Sequence, residues 1–273
     1  MRINMKIAEI LTITLLLCSA AFASEGDSLI ELAKQHDLKR YEFAVNQGAI
    51  FSRTSDGRSF YILWKPEGFD TLSQRKILAT LHGHASFATD EFYLWYDHCR
   101  KRNIAILALQ WYFGGDESTD NYYRPNEVYP IFESVLRIEN IRPGNCVFHG
   151  FSRGSANTYG IAAYDFHTGN RFFGLVISNS GSAEKDYPVN IDINTGKFGD
   201  QPFAGSSWIL YCGRNDDNVH SDCSAMENTE KWIMKLGGKV ELFIKDEKDG
   251  HGGFHMNSQN ASTALDLFIE ISR

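Results

Sequence analysis

The strongest constraint on this chain is an alternation. Apolar runs of strand length recur along it, and most lead into a stretch with helical character. Residues 77–81 read as a strand and 87–102 as a helix. Residues 104–110 read as a strand and 126–139 as a helix. The pattern continues with a strand over 146–149, a helix over 152–166, and strands over 173–178 and 208–212. A helix over 223–236, a strand over 240–244 and a helix over 258–271 close the chain. Continuous apolar runs mean strands covered on both faces, as in parallel sheets joined by crossover helices. The start differs. A short helix over 25–36 precedes two strands, 49–54 and 60–65, which flank Ser55-Asp56-Gly57-Arg58. The Asp-Gly pair predicts an antiparallel hairpin. No repeat, linker or low-complexity tract follows, so one α/β domain over 24–273 is expected. Its central sheet should be mostly parallel, with antiparallel N-terminal strands and helices on both faces. Sites in such sheets lie beyond the carboxyl ends of the strands.

Four segments at those ends carry chemistry. Gly150-Phe151-Ser152-Arg153-Gly154 stands between a predicted strand and a predicted helix. A serine at so sharp a turn stands clear of the sheet, and flanking glycines make room for it. A serine hydroxyl is a poor nucleophile at neutral pH unless a base takes its proton and an acid orients the base. After the strand over 208–212 comes Gly213-Arg214-Asn215-Asp216-Asp217-Asn218, which offers Asp216 as the acid, with Asp217 as the alternative. After the strand over 240–244 comes Asp249-Gly250-His251-Gly252-Gly253-Phe254-His255. His251, between glycines, is the candidate base, and His255 is the alternative. Acyl transfer also needs two N–H donors for a developing oxyanion. The amide of Arg153 is one candidate. The segment Leu81-His82-Gly83-His84-Ala85 offers the other, His84 first and Gly83 second.

Taken together and in this order, the segments resemble the α/β-hydrolase fold from about Phe60 to the end of the chain. In that fold the nucleophile is followed first by the acid and then by the histidine. The resemblance implies a Ser152–His251–Asp216 triad with an oxyanion hole from Arg153 and His84. It also implies hydrolysis of carboxylic esters through an acyl-enzyme. The His-Gly turn and the lack of a large cap are similar to those of secreted polyhydroxyalkanoate depolymerase-like and feruloyl esterase-like enzymes. Arg153 departs from the small or apolar residue often found there; its side chain could pack outward, face an acidic neighbour or meet a substrate carboxylate. The same machinery would serve a peptidase resembling the prolyl oligopeptidase-like group, or an acyltransferase. A binding protein that keeps the fold without turnover is the non-enzymatic alternative.

The remaining features bound the setting. Arg2 and Lys6, an apolar run over 10–17 and Ala21-Phe22-Ala23 read as a signal peptide over residues 1–23. The protein is therefore expected to be secreted or periplasmic, with no membrane span. Without the leader the formal charge moves from −7 to −8, which disfavours nucleic acid as a partner. The expected partner is a small or polymeric ester. No C-x-x-C or His-rich spacing suggests a metal site, and the triad requires no cofactor. Cys99, Cys146, Cys212 and Cys223 remain after the leader, an even count that permits two disulfides. The pair Cys212–Cys223 is the stronger candidate, Cys99–Cys146 the other.

Several residues read as structural. His82 and His149 are expected to be packing residues, and His98 a solvated one. Trp111, Tyr112, Phe113, Tyr122 and Tyr123 could wall a substrate site or fold onto the core. Asp116, Glu117 and Asp120 read as solvated rather than as a cation site. The aperiodic stretch over 181–205 is long for a connection, at the position of a lid, but too short for a full helical cap.

Overall fold

The computed structural model describes residues 24–116 and 118–272. The expected signal segment, Glu117 and Arg273 lie outside the described residues. Two strands open the sheet, β1 (Ile50–Arg53) and β2 (Phe60–Trp64), paired antiparallel around the Asp56-Gly57 turn. They are followed by β3 (Lys76–Leu81), β4 (Ile104–Leu109), β5 (Cys146–Phe151), β6 (Phe173–Asn179), β7 (Ser207–Gly213) and β8 (Lys239–Asp246). The spatial order is β1-β2-β4-β3-β5-β6-β7-β8. β2 joins β4 antiparallel, and every pairing from β4 through β8 is parallel.

Strand period accounts for the apolar runs. In β4, Ala105, Leu107 and Leu109 point to one face, and Ile104, Ile106 and Ala108 point to the other. Both faces are roofed. On one side lie α4 (Pro125–Ile138), α5 (Arg153–His167), α6 (Pro188–Asn194) and α7 (Cys223–Lys235). On the other lie α1 (Glu25–His36), α2 (Leu38–Asn46), α3 (Ala88–Arg100), α8 (Gly253–Met256) and α9 (Ser258–Ile271). Because no strand from β3 to β7 has a wet face, polar alternation never appears in its sequence.

Three helices were not expected: α2, α6 and the four-residue α8, which lies in the segment read as the histidine loop. α2 buries only Ala44, and its apolar Leu38 and Val45 stay exposed; it is held by Asp37, whose carboxylate accepts the Arg40 N–H at 3.1 Å. α6 lies inside the stretch read as aperiodic, and its seven residues are too few to display a period. Its Val189 packs against Gly160 of α5, so this segment is fastened to the body rather than hung over the site.

The cysteines divide. Cys212 and Cys223 are bonded, with Cα atoms 5.1 Å apart. Cys99 and Cys146 are free buried thiols, which corrects the second pairing. The reason is topological: Cys99 faces one side of the sheet and Cys146 the other. Burial pushes both thiols well up, so they stay protonated. His98 is also not solvated; it is part-buried, with Nδ1 3.1 Å from Ser262 Oγ of α9.

The disulfide closes a loop spanning 11 positions, for which chain entropy gives about 2–3 kcal/mol. The Cys212→Ala/Cys223→Ala protein is expected to lose that much in urea unfolding. An oxidised chain lacking residues 1–23 should titrate as two free thiols in denaturant; four thiols would refute the bond.

Candidate active site

The centre of the site is a backbone conformation. Ser152 has φ 53° and ψ −118°, which side chains of its kind rarely adopt. Its N–H donates to Asn179 O of β6 at 2.8 Å, extending the parallel ladder by one residue. Its carbonyl accepts Ala156 N–H at 3.1 Å, the first turn of α5. Strand thus becomes helix across a single residue. The glycines make the turn possible by proximity. A Cβ on Gly154 would stand 2.6 Å from Leu81 O, and one on Gly150 would overlap the Gly154 carbonyl. Leu81 O ends β3, so the elbow is pressed directly against the neighbouring strand.

Ser152 Oγ lies 2.7 Å from His251 Nε2, and His251 Nδ1 lies 2.7 Å from Asp216 Oδ2. Asp216 is buried at 8 % exposure, whereas Asp217 is exposed, and this selects between them. Asp216 Oδ1 accepts the Asn218 N–H at 3.1 Å, and its Oδ2 accepts the Ser221 hydroxyl at 2.8 Å. Ser221 Oγ also stands 3.1 Å from His251 Nδ1. Nothing in the sequence distinguished Ser221 from its neighbours; only the fold of the loop brings it to the pair. The Cys212–Cys223 bond straps that loop at its base, enclosing both Asp216 and Ser221. On the other side, Ser180 Oγ donates to His251 O at 2.8 Å, and the Phe151 ring lies 5.2 Å from the His251 ring. A carboxylate on Nδ1 fixes the tautomer that leaves Nε2 able to accept the serine proton.

The turn at 82–85 lies beside Ser152. A Cβ on Gly83 would come 3.4 Å from Ser152 Cβ, so the backbone passes close to the hydroxyl. His84 Nδ1 is 3.1 Å from Tyr122 Oη and 3.2 Å from Arg153 Nη1, and Ala85 N–H donates to Tyr122 Oη at 3.0 Å. The Arg153 guanidinium lies over the Tyr122 ring at 4.4 Å. Tyr122 is therefore a support for this turn. Trp111, Tyr112, Tyr122 and Tyr123 are all buried, so these aromatics pack onto the core and do not wall the site. Arg153 is the first residue of α5, where N–H groups project from the helix end. His84, Ser152, Arg153, Glu184 and His220 line an open cavity of about 390 Å³. The 181–205 stretch contributes only its first residues to that rim.

His255 does not approach Ser152. It packs on the far side of the elbow, against Trp95 and His149. There a buried polar layer underlies β5. Glu91 Oε2 lies 3.3 Å from His149 Nδ1, Thr80 Oγ1 donates to Glu91 at 2.9 Å, and Asn179 Nδ2 lies 3.2 Å from His149 Nε2. Burial alone would raise the Glu91 carboxyl, but the His149 charge and hydrogen bond bring it down to about 2. His82 is fully buried, with Nδ1 2.8 Å from Gly83 O, and burial pushes it down to about 4. Both His82 and His149 are fully buried, as the packing reading expects.

No protein-family description and no curated protein matches this chain. Solved structures do. An esterase/lipase from an uncultured bacterium superposes with TM-score 0.63 at 11% identity, over 91% of this chain and 98% of that one. Esterase 2 of Thermogutta terrifontis with butyrate bound gives 0.58 at 15% identity, over 82% and 94%. The Bacillus cereus carboxylesterase gives 0.55 at 14%, over 85% and 99%. The chain spans 62% of the length of a thermostable esterase matched at TM-score 0.55 and 17% identity. At such identities the likeness concerns the fold, and the fold is that of the α/β-hydrolases.

Strain at Ser152 yields a stability test. A non-glycine residue in this conformation costs on the order of 1–3 kcal/mol, and glycine adopts it freely. Ser152→Gly is expected to be about 1 kcal/mol more stable than Ser152→Ala in urea unfolding. Equal stability would mean that the elbow relaxes.

Proposed function

We propose that this protein is a serine hydrolase that cleaves carboxylic esters. The observation that carries the reading is the unbroken chain Ser152 Oγ, His251, Asp216, with both contacts at 2.7 Å. Ser152 Oγ attacks the ester carbonyl carbon as His251 Nε2 takes its proton. The Oγ–C bond forms, and the carbonyl oxygen becomes an oxyanion held by the backbone N–H groups of Arg153 and His84. His251 then returns the proton to the departing alkoxide, which leaves as the alcohol, and the acyl group stays on Ser152. Water repeats the sequence, with His251 as base, and releases the acid. Asp216, oriented by Asn218 and Ser221, holds the imidazole in place and stabilises the imidazolium in each step.

Four further observations shape the reading. The His251 side chain is 35% exposed and the cavity is open, so water reaches the acyl-enzyme; this favours hydrolysis over transfer to another alcohol. The rim carries the polar side chains of His84, Arg153, Glu184 and His220, while most of the exposed wall between them is made of apolar atoms, so the lining accepts an apolar acyl group beside a polar alcohol. The structures named above are esterases, and one holds butyrate, so short acyl esters are the first substrates to try. None of them is described as a depolymerase or a feruloyl esterase, and that finer resemblance rests on the His82-Gly83 turn and the short lid. A disulfide beside the acid loop supports export to an oxidising compartment.

A fluorophosphonate probe reacts with an activated serine and ignores an ordinary one. The folded protein is expected to be labelled, and Ser152→Ala and His251→Ala are not. In steady-state assays on p-nitrophenyl acetate and butyrate, Ser152→Ala and His251→Ala should lose at least about 10⁴-fold in kcat, and Asp216→Asn about 10⁴-fold. Absence of labelling in folded wild-type protein would end the hydrolase reading.

A further inference from the structure

The buried layer beneath β5 contains a cluster that ester hydrolysis does not use. Glu91 comes from α3, His149 from β5 and His255 from α8; each offers a ligand atom, and the three atoms lie within 4.8 Å of one another. Glu91 Oε2 and His149 Nδ1 are 3.3 Å apart, and Thr80 Oγ1 stands 2.9 Å from both. His255 Nε2 is buried and has no hydrogen-bond partner among the described residues. A buried nitrogen without a partner calls for an explanation, since such groups are normally satisfied by protein, water or an ion.

We propose that Glu91, His149 and His255 form a binding site for a divalent transition-metal cation of the zinc type. Two imidazoles and one carboxylate are the donor set that suits zinc rather than calcium or magnesium. Metal–ligand bonds of about 2.1 Å in a tetrahedron place ligand atoms about 3.4 Å apart. The Glu91–His149 edge already has that length, and the His255 ring needs to move inward by little more than 1 Å. Thr80 Oγ1, close to both Glu91 Oε2 and His149 Nδ1, is a further oxygen within reach of the ion. His149 Nε2 meets the Asn179 side-chain amide at 3.2 Å; for Nδ1 to offer its lone pair to the ion, that amide turns its oxygen to Nε2 and accepts the Nε2–H, the outer-shell arrangement of metal-binding histidines. The Trp95 indole N–H at 3.3 Å and the Thr80 hydroxyl at 2.9 Å both compete for Nδ1; the ion displaces the indole N–H, and the hydroxyl turns its lone pair to the ion. Entry is from the α8 side, where His255 is only part-buried and Met256 is 77% exposed.

The ion would add coordinate bonds between elements that here meet through ring contacts of Trp95, His149, Phe254 and His255. α8 begins two residues after His251, so a cation held by His255 anchors the loop that carries the candidate base to α3 and β5. The site is separate from the triad, and this makes the proposal independent of the hydrolase reading.

The test uses full-length mature protein purified without a metal-affinity tag and stripped with chelator. Zinc chloride is titrated by calorimetry, cobalt(II) is followed by its visible absorption, and melting temperature is measured with and without zinc. One equivalent is expected to bind at micromolar or lower Kd, to raise the melting temperature and to give the absorption of tetrahedral cobalt. His255→Ala and Glu91→Gln are each expected to weaken binding at least 10-fold, and His251→Ala to leave it unchanged. His255→Gln repeats the test with side-chain bulk retained, should Glu91→Gln fail to fold. No binding by the wild type, undiminished binding in a folded cluster variant, or binding lost in His251→Ala would overturn the proposal.

Discussion

Everything in this site depends on one strained residue being held in place. The dihedrals of Ser152 are unfavourable for serine, so the conformation persists only because its surroundings leave no alternative. Two hydrogen bonds do this locally: the N–H is committed to Asn179 of β6 and the carbonyl to Ala156 of α5. Steric exclusion does the rest. Gly154 sits against the carbonyls of Leu81 and His82, and Gly150 against the start of α5, in spaces a methyl group could not enter. With the backbone pinned this way, the Ser152 side chain starts from a fixed Cα–Cβ direction and Oγ meets His251 Nε2 at 2.7 Å. The cost of about 1–3 kcal/mol is met by a sheet buried on both faces.

The loops that bring His251 and Asp216 to that hydroxyl are restrained by separate means. The acid loop is closed covalently by Cys212–Cys223, and Ser221, just inside the bridge, contacts both the carboxylate and the imidazole. The histidine loop is held by polar contacts: Ser180 to the His251 carbonyl, and Asn215 to the carbonyl of Lys248. The turn at 82–85 leans on Tyr122. Behind the elbow, Asn179 links the two systems, since its carbonyl takes the Ser152 N–H and its side chain reaches His149. A short route of hydrogen bonds therefore runs from the buried Glu91 layer to the nucleophile.

Much of this was legible beforehand, and the reasons are specific. The strands from β3 to β7 announced themselves because each is covered on both faces and reads as an unbroken apolar run. The hairpin was visible in Asp56-Gly57, and the elbow in the two glycines around Ser152. What escaped carried a short or weak local signal. α2 buries one alanine, and α6 is shorter than two turns of useful period. Ser221 is one serine among many until its loop closes. The aromatics at 111–123 carried two readings, and burial chose packing because their rings complete the core around the 82–85 turn.

The sequence alone determined the alternating α/β architecture and the order of serine, acid and histidine. Both are written in nearest-neighbour terms: side-chain period, turn residues and spacing within a loop. The tertiary structure decided matters that depend on which residues face each other across the sheet. It separated Asp216 from Asp217 by burial. It kept Cys99 and Cys146 apart by placing them on opposite faces, and turned His255 away from the nucleophile. It also gathered Glu91, His149 and His255, residues far apart in the chain, into one buried cluster. Periodicity fixes which face a side chain takes within its own element, but contacts between elements arise only when the sheet order brings those elements side by side.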